Sequence, residues 1–278
     1  MKLYCQNIPM YVSIHQNKRE FPWLLLMHGF MGSGEVFHPL IGPLSEFCNP
    51  VTVDLLGHGR SGGGNKPEQY HAEKQVRHLY SILRRLQLHP LILHGYSMGG
   101  RLALQFALQY PGSYELLVLE STHAGLSDSE DRSKRQKMDE ERARALQDNF
   151  DEFLTSWQRM PLFLGTQSPI GHLSNYETIM QNQNPEYLSA SLRGFGAGTM
   201  PPVFGELNKI TKPVRLLAGE KDQKYCTKMK RMLRQFPDAE LQIIAGAGHR
   251  VHLDQAENFV NQIKTFTNKK LNYELDNR

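Results

Sequence analysis

The residues with the clearest chemical content are Gly95-Tyr96-Ser97-Met98-Gly99-Gly100. They follow an apolar run, Leu91 to His94, and precede a stretch of helical periodicity. A G-x-S-x-G sequence between a strand and a helix is a nucleophile elbow: the serine is forced into a tight turn that pushes its hydroxyl outward. Neighbours without side chains are needed on either side, which explains Gly95 and Gly99. The turn sets Ser97 at a helix N-terminus, where backbone N–H groups and the helix dipole favour developing negative charge. A serine used in this way needs a base and a third group to orient that base, in the chain order Ser, acid, His. Gly248-His249 follows the last apolar run, and Gly219-Glu220-Lys221-Asp222 follows the one before it. We read Ser97, Asp222 and His249 as nucleophile or base, orienting acid and proton carrier. Among 12 histidines the nearest rival is His252, which lies further from its strand and lacks a preceding glycine. Glu220 is the rival acid.

Such a set must be held by strand ends. Candidate strands are Leu3 to Cys5, Tyr11 to His15, Trp23 to Met27, Val51 to Asp54, Leu91 to His94, Glu115 to Leu119, Val214 to Ala218 and Leu241 to Ile244. Several are continuous branched-chain runs, as expected for strands buried on both faces of a parallel sheet. The first two are joined too closely for a crossover helix and should form an antiparallel hairpin. Between strands, Lys74 to Leu86 places Val76, Leu79, Ile82, Leu83 and Leu86 on one helical face. Met98 to Gln109 and Ala256 to Phe266 also have helical spacing. The predicted architecture is therefore α/β, a mainly parallel twisted sheet flanked by helices. Residues 126–206 break the alternation. They open with the charge-dense segment Asp128 to Arg144, continue through Phe150, Phe153, Leu154 and Trp157 at helical spacing, and end in a Pro- and Gly-punctuated region. We expect a helical lid there, inserted into a core made of residues 1–125 and 207–278.

Composition limits the alternatives. Apolar residues make up 40% and charged residues 22% of the 278 residues, enough for one large core. The net charge of +4 falls well short of a nucleic-acid footprint, and an anionic small substrate or general solubility explains it equally well. The three cysteines, Cys5, Cys48 and Cys226, are too scattered for a disulfide framework or a metal site. Neither a dinucleotide-binding nor a phosphate-binding loop is present, so no cofactor and no metal is expected. No apolar leader follows Lys2, and Trp23 to Met27 is far too short to span a bilayer. A cytoplasmic monomer without membrane insertion is the expectation.

The elbow, the late acid and the last histidine resemble the α/β-hydrolase fold. That resemblance implies an oxyanion hole made by the backbone amides of Met98 and of Phe30, in His28-Gly29-Phe30 after the third strand. His28 itself is then structural. Asp54-Leu55-Leu56-Gly57-His58-Gly59 resembles a turn of the same fold, with Leu56 where proline is usual. A narrower resemblance rests on Arg101 directly after the elbow and on the basic cluster Arg132, Lys134 and Arg135. It rests also on Leu119-Glu120-Ser121-Thr122, on Trp157 with Pro161-Leu162-Phe163, and on Gly198-Thr199-Met200-Pro201. Together these resemble the 2-succinyl-6-hydroxy-2,4-cyclohexadiene-1-carboxylate synthases of menaquinone biosynthesis. The resemblance implies a lyase that eliminates pyruvate from 2-succinyl-5-enolpyruvoyl-6-hydroxy-3-cyclohexene-1-carboxylate, with the triad as base. It also implies Arg101 and Arg132 as binders of a tricarboxylate substrate, and Tyr96 and Trp157 as pocket walls. The alternative on the same triad is a hydrolase of an ester or a C–C bond. A non-catalytic receptor on this fold is disfavoured by the complete triad.

Overall fold

The computed structural model describes residues 1–5, 7–163 and 170–271. Among them, eight strands form one sheet in the order β1-β2-β4-β3-β5-β6-β7-β8. Their ranges are β1 (Lys2–Cys5), β2 (Ile8–Ile14), β3 (Trp23–Met27), β4 (Asn49–Val53), β5 (Leu91–Tyr96), β6 (Leu116–Glu120), β7 (Val214–Gly219) and β8 (Ala239–Ile244). β1 and β2 form the expected antiparallel hairpin, and β2 also runs antiparallel to β4. All remaining pairings are parallel. The fold is thus an α/β-hydrolase sheet.

Several strands start earlier than their apolar runs, β8 at Ala239 among them. β2 starts at Ile8 and β4 at Asn49. Pro50 lies at the mouth of β4, before the β2 pairing begins at Val51, so its missing N–H removes no bond to β2. Its carbonyl still accepts the His15 N–H at 3.0 Å.

The helices are α1 (His38–Leu44), α2 (Ala72–Leu86), α3 (Met98–Gln109), α4 (Ser129–Asp148), α5 (Phe150–Gln158), α6 (Ile170–Gln181), α7 (Pro185–Phe195), α8 (Gln223–Leu233), α9 (Val251–Asp254) and α10 (Ala256–Leu271). On α2, Val76, Leu79, Ile82 and Leu83 are buried as the spacing predicts, and the helix ends where Gln87 turns left-handed at φ 53°. Together with Met229 and Met232 of α8 they belong to the core on one face of the sheet. Leu40 of α1 and Phe259, Ile263 and Phe266 of α10 belong to the core on the other. Helices α7 and α8 also carry local sequence signals. On α8, Tyr225, Cys226, Met229 and Met232 form a buried helical stripe among lysines and arginines. α7 starts with Asn184 as N-cap and Pro185 in its first turn.

From β6 to β7 the chain runs through α4, α5, α6 and α7. Asp128 caps α4 by accepting the Asp131 N–H, and Asn149 caps α5 by accepting the Glu152 N–H. Residues 164–169 of the stretch expected as a lid, and residues 272–278 of the expected core, lie outside the described residues. No helix among the described residues is long and apolar enough to cross a membrane.

Candidate active site

The site is assembled at the carboxyl ends of β5, β7 and β8. Ser97 follows β5 directly and has φ 51° and ψ −105°. For a serine this is a strained conformation, costing on the order of 1–3 kcal/mol. The surroundings hold it there. Ser97 N–H donates to the Glu120 carbonyl at 2.9 Å, and the Thr122 hydroxyl donates to the Ser97 carbonyl at 2.7 Å. Any side chain at Gly95 would strike the backbone of Gly99 and Gly100, with an added Cβ only 2.5 Å from the Gly99 oxygen. The glycine therefore fits a close approach of two backbones.

Asp222 lies just after β7 and caps α8, its Oδ1 accepting the Tyr225 N–H at 3.2 Å. Its Oδ2 lies 2.6 Å from His249 Nδ1. His249 Nε2 lies 3.2 Å from Ser97 Oγ. The structure thus joins Ser97, His249 and Asp222 in one hydrogen-bonded line. His249 is buried between rings, with Tyr225 at 4.5 Å and Tyr96 at 5.4 Å between centroids. That burial lowers its pKa below 6.5, against the opposing pull of the Asp222 carboxylate. The two rivals have other partners. Glu220 accepts the Gly246 N–H at 3.0 Å, and His252 bonds Glu120 at 2.7 Å.

Glu120, in the segment Leu119-Glu120-Ser121-Thr122, braces the site from beneath. Fully buried, it accepts from the His252 backbone N–H at 3.0 Å and lies 3.1 Å from His94 Nε2. Burial alone would raise its pKa; His252 and His94 outweigh that and bring it to about 2. The carboxylate ties β6 to the turn that carries His249, while its own backbone carbonyl holds the elbow.

A cavity of about 500 Å³ opens over Ser97. Phe30, Tyr96, Met98, Arg101 and Trp157 all line it. Met98 is the first residue of α3, so its N–H has no acceptor within the helix. His28 is fully buried, accepting the Leu55 N–H at 2.9 Å, and burial brings its pKa down to about 4. It supports the loop that carries Phe30. Trp157 packs edge-on against Phe30 at 5.4 Å.

Arg101 is 8% exposed. Its Nη1 donates to the Phe195 carbonyl at 2.9 Å, and the guanidinium lies over the Phe195 ring. Burial first, and then the nearby charge of Arg135, lower its pKa to about 10, leaving it charged at neutral pH.

Arg132 requires a correction. It does not line the cavity; its Nε donates to the Gly198 carbonyl at 2.9 Å and its Nη2 to the Thr199 carbonyl at 3.2 Å. Those two carbonyls need donors, and Arg132 sits on the face of α4 that meets them. Arg135 and Arg142, seven residues apart and so on one helical face, line the cavity instead. Both pair with buried Asp139, at 2.8 Å and 3.9 Å. Lys221, Lys224 and Arg250 complete the basic lining, and among the described lining residues Asp222 is the sole acidic one.

With this geometry in place, comparison with known proteins gives a consistent result. The alpha/beta hydrolase fold family matches residues 22–256, and the chain belongs to that family. Within it, the chain is similar to a Bacillus subtilis protein provisionally named as a 2-succinyl-6-hydroxy-2,4-cyclohexadiene-1-carboxylate synthase. The two are 33% identical over 246 residues, covering 87% of this chain and 89% of the relative. A protein of the same name from Salmonella arizonae is 28% identical over 267 residues, covering 95% and 98%. Among solved structures, MenH from S. aureus superposes with a TM-score of 0.89 at 27% identity, covering 94% and 98%.

Proposed function

We propose that this chain is a 2-succinyl-6-hydroxy-2,4-cyclohexadiene-1-carboxylate synthase, a lyase of menaquinone biosynthesis. The observation that carries this reading is the charge of the cavity. Among the described residues, six cationic side chains, Arg101, Arg135, Arg142, Lys221, Lys224 and Arg250, line it, and the one carboxylate there is engaged with His249. A neutral acyl ester would gain little from such walls, whereas a tricarboxylate gains charge-assisted hydrogen bonds. The names of the relatives agree with this substrate class.

In the proposed reaction Ser97 gives its proton to His249 Nε2, and Asp222 stabilises the imidazolium that results. The Ser97 alkoxide removes the ring proton next to the succinyl ketone. Electrons of that C–H bond form a new ring double bond, the existing one shifts, and the bond from ring carbon to enolpyruvyl oxygen breaks. Negative charge building on the ketone oxygen is met by the amides of Phe30 and Met98. The proton on His249 passes to the departing enolate, giving pyruvate and restoring the neutral histidine. No water is consumed. Helices α4 to α7 serve as the lid, carrying Arg135, Arg142 and Trp157 to the cavity and excluding solvent from the base.

The test is to supply purified protein with the enolpyruvoyl intermediate generated in situ. Pyruvate should appear together with the ultraviolet absorbance of the conjugated diene. Fast turnover of a simple aryl ester with no pyruvate release would favour the hydrolase.

A further inference from the structure

Arg250 is the cationic cavity residue next to the proton carrier in the chain. It follows His249 directly, is 5% exposed and lines the cavity. Its guanidinium lies over two rings, 4.3 Å from the Phe163 centroid and 4.2 Å from that of Tyr176. Its Nε is buried with no hydrogen-bond partner. None of the ion pairs formed among the described residues includes it, whereas Arg135 and Arg142 share Asp139. A buried guanidinium lacking a carboxylate is costly unless a ligand supplies one. Beside these rings the guanidinium still presents its planar fork of N–H donors along its edge.

The basic groups of the cavity act on different neighbours of the Ser97–His249 pair. Arg101, Arg135 and Arg142 bear on Tyr225, which packs on His249. Arg250 bears on His249 itself, and Phe163, beneath its guanidinium, lies 6.1 Å from the His249 ring. From this geometry we infer that the edge of Arg250 is a separate carboxylate site, and that it takes the carboxylate of the departing enolpyruvyl group. The assignment rests on the lyase reading. The leaving group receives its proton from His249, so its carboxylate must come to rest beside that histidine. The succinyl and ring carboxylates fall to the group around Arg101. Bound there, the carboxylate also shields His249 from Arg250, whose charge disfavours the imidazolium that the reaction requires.

The experiment uses two small anions with the intact protein: pyruvate for the leaving group, and 4-oxo-4-phenylbutanoate for the succinyl ketone. Binding is followed by ligand NMR in the wild type, Arg250→Met, Arg250→Lys and Arg101→Met, with melting curves to establish folding. Methionine keeps the packing against Phe163 and Tyr176, and lysine keeps the charge without the fork. Pyruvate should bind about tenfold or more weakly in both Arg250 variants, with its product inhibition reduced in parallel. The phenylbutanoate should be weakened by Arg101→Met and left within about twofold by Arg250→Met, since the two anions are assigned to different arginines. Failure of wild type to bind pyruvate, or equal pyruvate affinity in wild type and the Arg250 variants, overturns the inference. Failure of wild type to eliminate pyruvate from the full substrate overturns the lyase reading. Separable binding of the two anions would in that case still place a carboxylate site at Arg250.

Discussion

Asp222 and His249 meet at 2.6 Å through Oδ2 and Nδ1, while the other Asp222 oxygen caps α8. The carboxylate is therefore fixed from two sides, and the imidazole presents Nε2 to Ser97 with its tautomer set. Asp222→Asn should keep this packing and lower kcat by roughly 10⁴-fold, because an amide can hold the wrong tautomer. The pH profile gives a finer reading. The acidic limb of kcat/KM should have its midpoint below 6.5, since burial depresses the His249 pKa. Removing the Asp222 charge removes a contribution that raises that pKa, so residual activity in Asp222→Asn should extend to lower pH. A limb that moves upward would contradict the assignment of the acid.

Ser97→Ala should abolish turnover, by on the order of 10⁴-fold or more, without loss of fold. The serine sits at φ 51° with its hydroxyl directed at His249 and is not part of the core. Alanine at the same φ remains strained, so stability should change little. Activity above about a tenth of wild type in a folded variant would exclude the triad.

Arg101→Ala should raise KM for the anionic substrate strongly, at a cost of about 2–5 kcal/mol, and affect a neutral ester far less. The tether to the Phe195 carbonyl adds a structural part to this loss. Arg101→Lys separates the two parts, because lysine can reach a carbonyl but cannot form a bidentate fork. By contrast, Arg132→Ala should leave KM near wild type and lower stability by about 1 kcal/mol, through loss of the Gly198 and Thr199 bonds. Steady-state kinetics and urea titration of the two variants distinguish these outcomes.

Glu120→Gln should destabilise the protein by about 3 kcal/mol or more, since His94 and His252 then face a neutral group in a fully buried site. The sign with pH follows from the depressed pKa. The carboxyl ionises near 2 in the folded protein and near 4.5 when unfolded, so its contribution is complete above 4.5 and is lost as pH falls towards 2. Urea midpoints for wild type and variant should draw together as the pH is lowered from 6 to 3, by somewhat more than half of this contribution, the rest being lost below pH 3.

The sequence was most informative where backbone geometry demands a residue type. The elbow glycines, the hairpin and the α2 stripe are local constraints, written in adjacent residues or in a period of 3.6. Arg132 shows the limit of such reading. Three basic residues at 132, 134 and 135 look alike in sequence, yet the face of α4 decides that Arg132 meets backbone carbonyls and Arg135 meets the cavity. The heptad spacing of Arg135 and Arg142 carried that information in part. Glu120 was legible only as part of a motif, since its partners lie 26 and 132 residues away and depend on the order of strands. Arg250 had no local signal, because its rings come from the α5–α6 region, far along the chain.

The claim that Ser97 serves as a base in an elimination is tested most directly by the fate of solvent oxygen. The reaction should be run in ¹⁸O-labelled water with pyruvate trapped at once, because its ketone exchanges oxygen. An elimination inserts no water, so the cyclohexadiene product should carry no label and the trapped pyruvate no more than its own exchange rate allows. Hydrolysis of the bond between ring and succinyl ketone would instead release succinate carrying one ¹⁸O. Labelled succinate, with no diene formed, would contradict the account.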